Sequence, residues 1–229
     1  MGNESGTWIM HGIPASDPGC IKTFGQLEEY IDKVGFLPLF QNEIPGFSVE
    51  EHTESLYWWS GNAEKDPWEW REILARRGHV AYGKFFDKKA GFISREWLPV
   101  FANARRDGYD FDALWDDGKA RRQQKMIMDC FTGETVLFSN ELKERAGFGK
   151  SGEKNFDGNL TALQMETYLC VCDFRQRINK KGEGYGWPVA LYCMPEHLFG
   201  YDHVRSAYRE DPKLSEEKIR EHITEFDWR

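Results

Sequence analysis

Apolar positions along this chain switch between helical and extended spacing, and the switches mark out its elements. Leu27, Tyr30, Ile31 and Val34 recur at helical spacing behind Thr23 and Gln26, which fit a capping box, and Gly35 is a natural stop. A helix is therefore predicted from Thr23, followed by a short apolar run over 36–40 and then Gln41-Asn42-Glu43-Ile44-Pro45-Gly46. Ser48 opens a second predicted helix, with Glu50 and Glu51 in its first turn and its end near Trp59. Asp66-Pro67-Trp68-Glu69 opens a third, because Asp caps and Pro is pre-set for the first helical position. Trp70, Ile73 and Leu74 face inward on it, and Gly78 ends it. Residues 80–86 and 91–94 read as strands joined by Asp87-Lys88-Lys89-Ala90, a hairpin with a basic tip. Ser94 caps a fourth helix that runs to about Arg106.

The second half repeats the theme. Helical runs cover 111–117 and 119–131 and stop at Gly133, a short extended piece covers 135–138, and Ser139 opens a helix to Ala146. In the helix over 154–168, Phe156, Leu160 and Leu163 form the inward stripe. Extended runs over 169–178 and 187–194 flank Asn179 to Gly186, where three glycines within five residues allow positive φ, so a hairpin tip is predicted there. A helical stretch over 195–209, broken at Gly200, and a helix from Ser215 through Phe226 close the chain.

The order is helix–helix–turn–helix–wing. The expected fold is α+β and mostly helical, with two winged-helix-like lobes, each carrying a small β-hairpin. Residues 1–22 form an N-terminal arm, 23–108 the first lobe, and 109–229 a C-terminal winged-helix domain with terminal helices. Both lobes are expected to aim their positive charge the same way.

Charge narrows the choice of partners. The net charge is −8, so no global basic field exists, and any nucleic-acid contact must come from a local patch on an acidic body. No apolar run approaches the roughly 20 residues that span a bilayer, and no basic-then-apolar leader opens the chain, so a cytoplasmic protein without membrane contact is expected. Five Cys lack zinc-knuckle framing and six His lack HExxH spacing. The thiols are expected to be reduced and mostly buried, with no metal site.

Several groups carry candidate chemistry. Arg175 and Arg177 share a strand face with Asp173 by period two, and Lys180 and Lys181 sit at the tip. With Lys88 and Lys89 they can grip phosphates; alternatively they belong to solvated edge hairpins whose lysines block strand addition. Outward positions of the 154–168 helix include Asn159, Thr161, Gln164 and Glu166; Asn and Gln can read adenine, and no Arg is present to read guanine. Other basic runs, such as Arg105-Arg106 and 119–125, read as solvated helix faces, and the Trp-rich clusters at 57–59 and 68–70 as core. Gln41 and Glu43, two residues apart, can point to one side of an extended segment and together hold and deprotonate one water. A turn of Asn and Glu before Pro-Gly is also ordinary loop chemistry.

Leu163-Gln164-Met165-Glu166-Thr167-Tyr168-Leu169-Cys170-Val171, then Gly186-Trp187-Pro188 and Pro195-Glu196-His197-Leu198, resemble the C-terminal winged helix of the AlkZ-type family. Gly35-Phe36-Leu37-Pro38-Leu39-Phe40, the segment 44–52, Asp66-Pro67-Trp68-Glu69-Trp70-Arg71, the segment 82–86 and Gly91-Phe92-Ile93-Ser94 resemble the short AlkZ-related proteins in the same order. The similarity runs from about Phe24 to Trp228. Members of the family are DNA glycosylases that excise alkylated purines. The resemblance implies a Gln-x-Gln or Gln-x-Asp pair after the first helix and apolar run, which falls on Gln41 and Glu43; Gln41 matches, and Glu43 departs from both forms by its length. It also implies a β-hairpin used against DNA, which is either missing here or represented by 80–94. Duplex DNA is then the expected partner, Lys88, Arg175, Lys180 and Lys181 the phosphate contacts, and no cofactor is needed. The alternative is a non-catalytic regulator or protein-interaction module.

Overall fold

Strands from both halves of the chain join one sheet in a computed structural model that describes residues 10–133, 135–179 and 181–228. In chain order they are β1 (Phe36–Pro38), β2 (Val80–Phe86), β3 (Lys89–Ser94), β4 (Leu137–Phe138), β5 (Cys170–Ile178) and β6 (Gly184–Cys193). Their spatial order is β1-β3-β2-β5-β6-β4, every pairing antiparallel. The helices are α1 (Phe24–Val34), α2 (Pro67–Arg77), α3 (Leu98–Arg106), α4 (Phe111–Asp116), α5 (Arg122–Met128), α6 (Ser139–Arg145), α7 (Phe156–Met165), α8 (Pro195–Phe199), α9 (Tyr201–Val204) and α10 (Pro212–Glu225).

This corrects the expected fold class. Helix accounts for 43% of the described residues, so the protein is α+β but not mostly helical, and a six-stranded antiparallel sheet stands where two winged-helix-like lobes were expected. The physical cause is an edge: β2 does not stop at its own hairpin but pairs with β5 at Tyr82↔Val171, so the two hairpins become neighbours in one sheet. That pairing also fixes direction. β2 runs into its tip at Asp87-Lys88, and β5, antiparallel to β2, runs the opposite way into the 179–183 turn. The two tips leave from opposite ends of the sheet, which overturns the expectation that both aim charge the same way.

Local signals explain most helix ends. Thr23 accepts the Gln26 N–H at 3.2 Å, Asp66 accepts the Trp68 N–H at 2.9 Å, and Asp211 accepts the Lys213 N–H at 3.0 Å. The last helix is thus capped by Asp211 with Pro212 at its first position, three residues upstream of the predicted start at Ser215. The predicted helix from Ser48 to Trp59 does not form. Two single 3₁₀ turns, Glu50–His52 and Ser55–Tyr57, replace it, separated by extended Thr53, whose segment bridges Ile21. Short polar side chains compete there with helical bonding: the Thr53 hydroxyl donates to Val49 O at 3.0 Å, and the Glu54 carboxylate accepts the Leu56 N–H.

Phe36 on β1 anchors the core at one end of the sheet. Its ring meets Phe101 at 4.8 Å, Trp97 at 5.1 Å, Phe47 at 5.8 Å and Trp228 at 6.1 Å. His222 of α10 lies within 2.8 Å of Val34 O, so the C-terminal helix closes over the first one. Among the described residues no helix is long and apolar enough to cross a membrane.

Candidate functional site

β1 delivers the chain to Gln41 along a fixed path. Leu39 N–H donates to Ala90 O at 2.8 Å, so the segment leaving β1 still runs beside β3 just past the Asp87-Lys88 turn. Gln41 therefore emerges at the same end of the sheet as Lys88 and Lys89, both exposed. The 42–47 loop then closes on itself. Asn42 accepts the Ile44 N–H at 2.9 Å and donates to Phe47 O at 2.6 Å, an Asx turn before Pro45-Gly46. Gly46 has φ 82°, and a Cβ there would fall 2.3 Å from Trp228 O, so only glycine fits.

Two acids hold this loop, and the sequence reading assigned both to a helix start. Glu50 is 1% exposed, and its carboxylate accepts the Gln41 backbone N–H at 2.9 Å and the His11 N–H at 2.8 Å. Glu51 accepts the Gly46 N–H at 2.9 Å, the Ser48 hydroxyl at 2.7 Å and the Gln41 side-chain amide at 3.5 Å. His52 Nε2 donates to Gly46 O at 2.8 Å and lies 3.0 Å from the Tyr30 hydroxyl, whose pKa burial pushes up to about 12. With Gln41 Nε2 turned to Glu51, its carbonyl oxygen is the atom left to accept from a water or a ligand. Glu43 is exposed two residues away. What could have flagged Glu50 and Glu51 is a paired acid placed just after Pro-Gly, where a loop with many inward N–H groups needs acceptors.

The remaining predicted residues fall into three groups. Lys88 and Lys89 share Gln41's end of the sheet. Arg175, Arg177 and Lys181 lie on the β5–β6 ribbon toward the other end, and Lys180 is outside the described residues. Arg175 Nε is already engaged, donating to Asp173 at 2.7 Å, and Arg76 donates to the other oxygen of the same carboxylate at 2.7 Å. On α7 the outward expectation is corrected: Asn159 and Gln164 are buried, and Thr161 is half-buried. Asn159 donates to Asn155 O at 2.8 Å, while Gln164 accepts the Lys84 N–H at 3.1 Å and donates to Leu160 O at 3.2 Å. Gln164 thereby docks the helix on β2, and Asn159 closes the helix's own first turn, roles that helical spacing alone does not reveal.

The Arg105-Arg106 run is not a solvated face. Arg106 is buried, paired with Glu196 at 2.5 Å and donating to Thr167 O at 2.6 Å. Arg105 donates to Met165 O at 3.0 Å, and burial pulls its pKa down to about 10. Among the described residues no group of three or more His, Cys, Asp or Glu is arranged to hold a metal ion. A family model described as AlkZ related matches residues 21–227. No curated protein and no solved structure matches the chain.

Proposed function

The chain belongs to the AlkZ-related family, and from that premise we propose that it acts on duplex DNA, as a DNA glycosylase directed at alkylated purines. The observation that supports this most directly is the suspension of Gln41 from buried Glu50, at the end of the sheet that carries Lys88 and Lys89. A catalytic amide needs a fixed backbone, because misplacement by about 1 Å costs orders of magnitude in rate. Two exposed cations at the same end of the sheet suit the phosphates that flank a target nucleotide.

The chemistry asks little of the protein. An N-alkylated purine is already cationic and leaves readily, through a transition state resembling an oxocarbenium ion. Gln41 would orient a water toward C1′ through its free carbonyl oxygen, and Glu43 would take the proton. Arg177 and Lys181, with Arg175 once released from Asp173, would hold phosphates further along the duplex. The protein would work in the cytoplasm with its cysteines as free thiols.

A non-catalytic DNA-binding role is favoured by one feature, the exposure of Glu43, since a catalytic base gains from a water-poor setting. Duplex DNA bearing an N-methylated purine distinguishes the two. Release of the base to leave an abasic site, lost in Gln41→Ala and in Glu43→Gln, is the expected result. Equal release by wild type and Gln41→Ala would remove the catalytic assignment. Absence of salt-sensitive duplex binding at low ionic strength would remove the DNA assignment as well.

A further inference from the structure

The β5–β6 ribbon projects from the body of the sheet. Its residues from Arg175 to Ile178 and from Gly184 to Trp187 are exposed, while Cys170 to Asp173 and Leu191 to Cys193 are buried. Three large apolar side chains stand out on it: Ile178 at 65% exposure, Tyr185 at 49% and Trp187 at 87%. A two-stranded ribbon gains little by showing such groups to water, so their placement calls for a ligand. Segment 174–189 also carries four cations and a single carboxylate, Glu183, in a chain whose net charge is −8. The ribbon is a basic, aromatic arm on an acidic body.

Between this arm and α2 lies a groove of ≈ 570 Å³ lined by Trp68, Arg71, Phe174, Arg177, Tyr185 and Trp187. Behind it a smaller cavity of ≈ 150 Å³ shares Arg71 and Phe174 and reaches Tyr82 and Tyr192. Arg71 is 7% exposed. Its guanidinium lies 3.8 Å from the Trp68 ring centre and 4.4 Å from that of Phe174, and it donates to Glu72 at 2.9 Å. Its buried Nε has no hydrogen-bond partner among the described residues. A stacked guanidinium with an unspent donor, a second Arg at the rim and an indole open to solvent together select a ligand that is both anionic and flat.

We propose that this groove binds a nucleotide unit, with its phosphate toward Arg177 and Arg71 and its base stacked on Trp187. Base–aromatic stacking is open only to a base free of its own stack, so the unit comes from an unpaired strand or from a free nucleotide, not from an intact duplex. An apolar peptide is disfavoured, because it would cover the Arg177 guanidinium and the Arg71 Nε without offering either an acceptor. The site rests on the nucleic-acid part of the function proposed above and is independent of Gln41, which leaves the sheet at the other end.

The test compares a labelled unpaired oligonucleotide, the matched duplex and a free mononucleotide, by anisotropy for the first two and calorimetry for the third. The expected result is salt-sensitive binding of the unpaired strand more tightly than the duplex. Trp187→Ala should weaken it by about 10-fold or more, Trp187→Phe should restore most of the affinity, and Arg177→Ala should flatten the salt dependence. Mononucleotide binding lost in Trp187→Ala would support the site with a free nucleotide as its source. Duplex binding that Trp187→Ala does not alter, with no preference for the unpaired strand and no mononucleotide binding, overturns this site and leaves the duplex proposal standing. Binding of the unpaired strand that survives Trp187→Ala overturns it equally.

Discussion

Gln41 donates its backbone N–H to the Glu50 carboxylate at 2.9 Å, and Glu50 is almost wholly buried. The same carboxylate accepts the His11 N–H, so it ties the segment before α1 to the loop after β1. Glu50→Ala strands two partly buried donors and should lower unfolding stability by about 2 kcal/mol; Glu50→Gln keeps one acceptor and should cost about half as much. Urea denaturation measures both. Substitution of exposed Glu43 should leave the urea midpoint within experimental scatter, which separates a change in chemistry from a change in folding.

Arg106 supports the other half of the molecule. It reaches Glu196, the Tyr208 hydroxyl at 3.2 Å and both Thr167 oxygens, with its guanidinium 4.7 Å from the Tyr168 ring centre. Thr167 has φ 61°, an unfavourable value for a β-branched residue, and the bond to its carbonyl helps to hold it there. Arg106→Ala should cost about 3–5 kcal/mol, because Glu196 and the Thr167 carbonyl lose their shared partner. Arg106→Lys should recover only part of this, since one ammonium cannot copy the planar fork. Thermal or urea unfolding of the two variants measures the difference.

Asp173 makes stability fall in acid. Burial acts to raise its carboxyl pKa, but hydrogen bonds from Arg76, Arg175 and the Phe174 N–H outweigh it and hold the value below the usual carboxylate range. A depressed carboxylate contributes stability that is present above its unfolded pKa and lost as pH falls through the folded one. Urea midpoints taken from pH 6 downward should therefore decline less steeply in Asp173→Asn than in the wild type. The same substitution releases Arg175 and removes a negative charge beside it, so nucleic-acid affinity should rise several-fold at low salt. An unchanged affinity would mean that Arg175 does not reach the ligand.

Local chemistry was readable from the residues; what strands do at a distance was not. Thr23, Asp66, Gly35 and Gly78 announce helix ends because each satisfies orphan backbone groups by itself. Both hairpins follow from turn residues between extended runs. The single pairing Tyr82↔Val171, which merges those hairpins and sends their tips apart, joins residues far apart in the chain and leaves no periodic trace. Glu50 illustrates the same limit at the site: an acid after Ser reads as a first-turn helix residue, and only the folded loop reveals that it faces the Gln41 N–H. The failed outward assignment of Asn159 and Gln164 has a related cause, because polar side chains that satisfy buried carbonyls look like surface residues in a sequence.

The cysteines should divide by burial. Cys20, Cys170, Cys172 and Cys193 are buried, and Cys130 is half-buried. Cys170 and Cys193 face each other across β5 and β6 with their sulfurs 3.7 Å apart. Hydrogen bonding to Cys170 and Cys172, then burial, pushes the Cys193 thiol well above its ordinary value, which keeps it from forming the reactive thiolate. In native protein at neutral pH an alkylating reagent should label Cys130 first and slowly, and all five only in denaturant. Mass spectrometry of timed samples checks this, and prompt labelling of Cys193 would contradict the packing.

The Asp87-Lys88 turn sets stability against charge. Both residues have positive φ, 44° and 65°, in a two-residue hairpin connection that favours Asn-Gly. A lysine held in the left-handed region costs about 1 kcal/mol relative to glycine, so Lys88→Gly should stabilise the fold by about that amount and raise the urea midpoint. Lys88 also stands at the end of the sheet where Gln41 emerges, and there its ammonium is a phosphate contact in the proposed duplex complex. The same substitution should then weaken duplex binding and lower the slope of log K against log salt by about 1. A variant that is more stable yet binds duplex less tightly would mean that the turn keeps an unfavourable residue for its charge. A gain in stability with unchanged salt slope would remove Lys88 from the DNA surface and leave the turn geometry as the whole explanation.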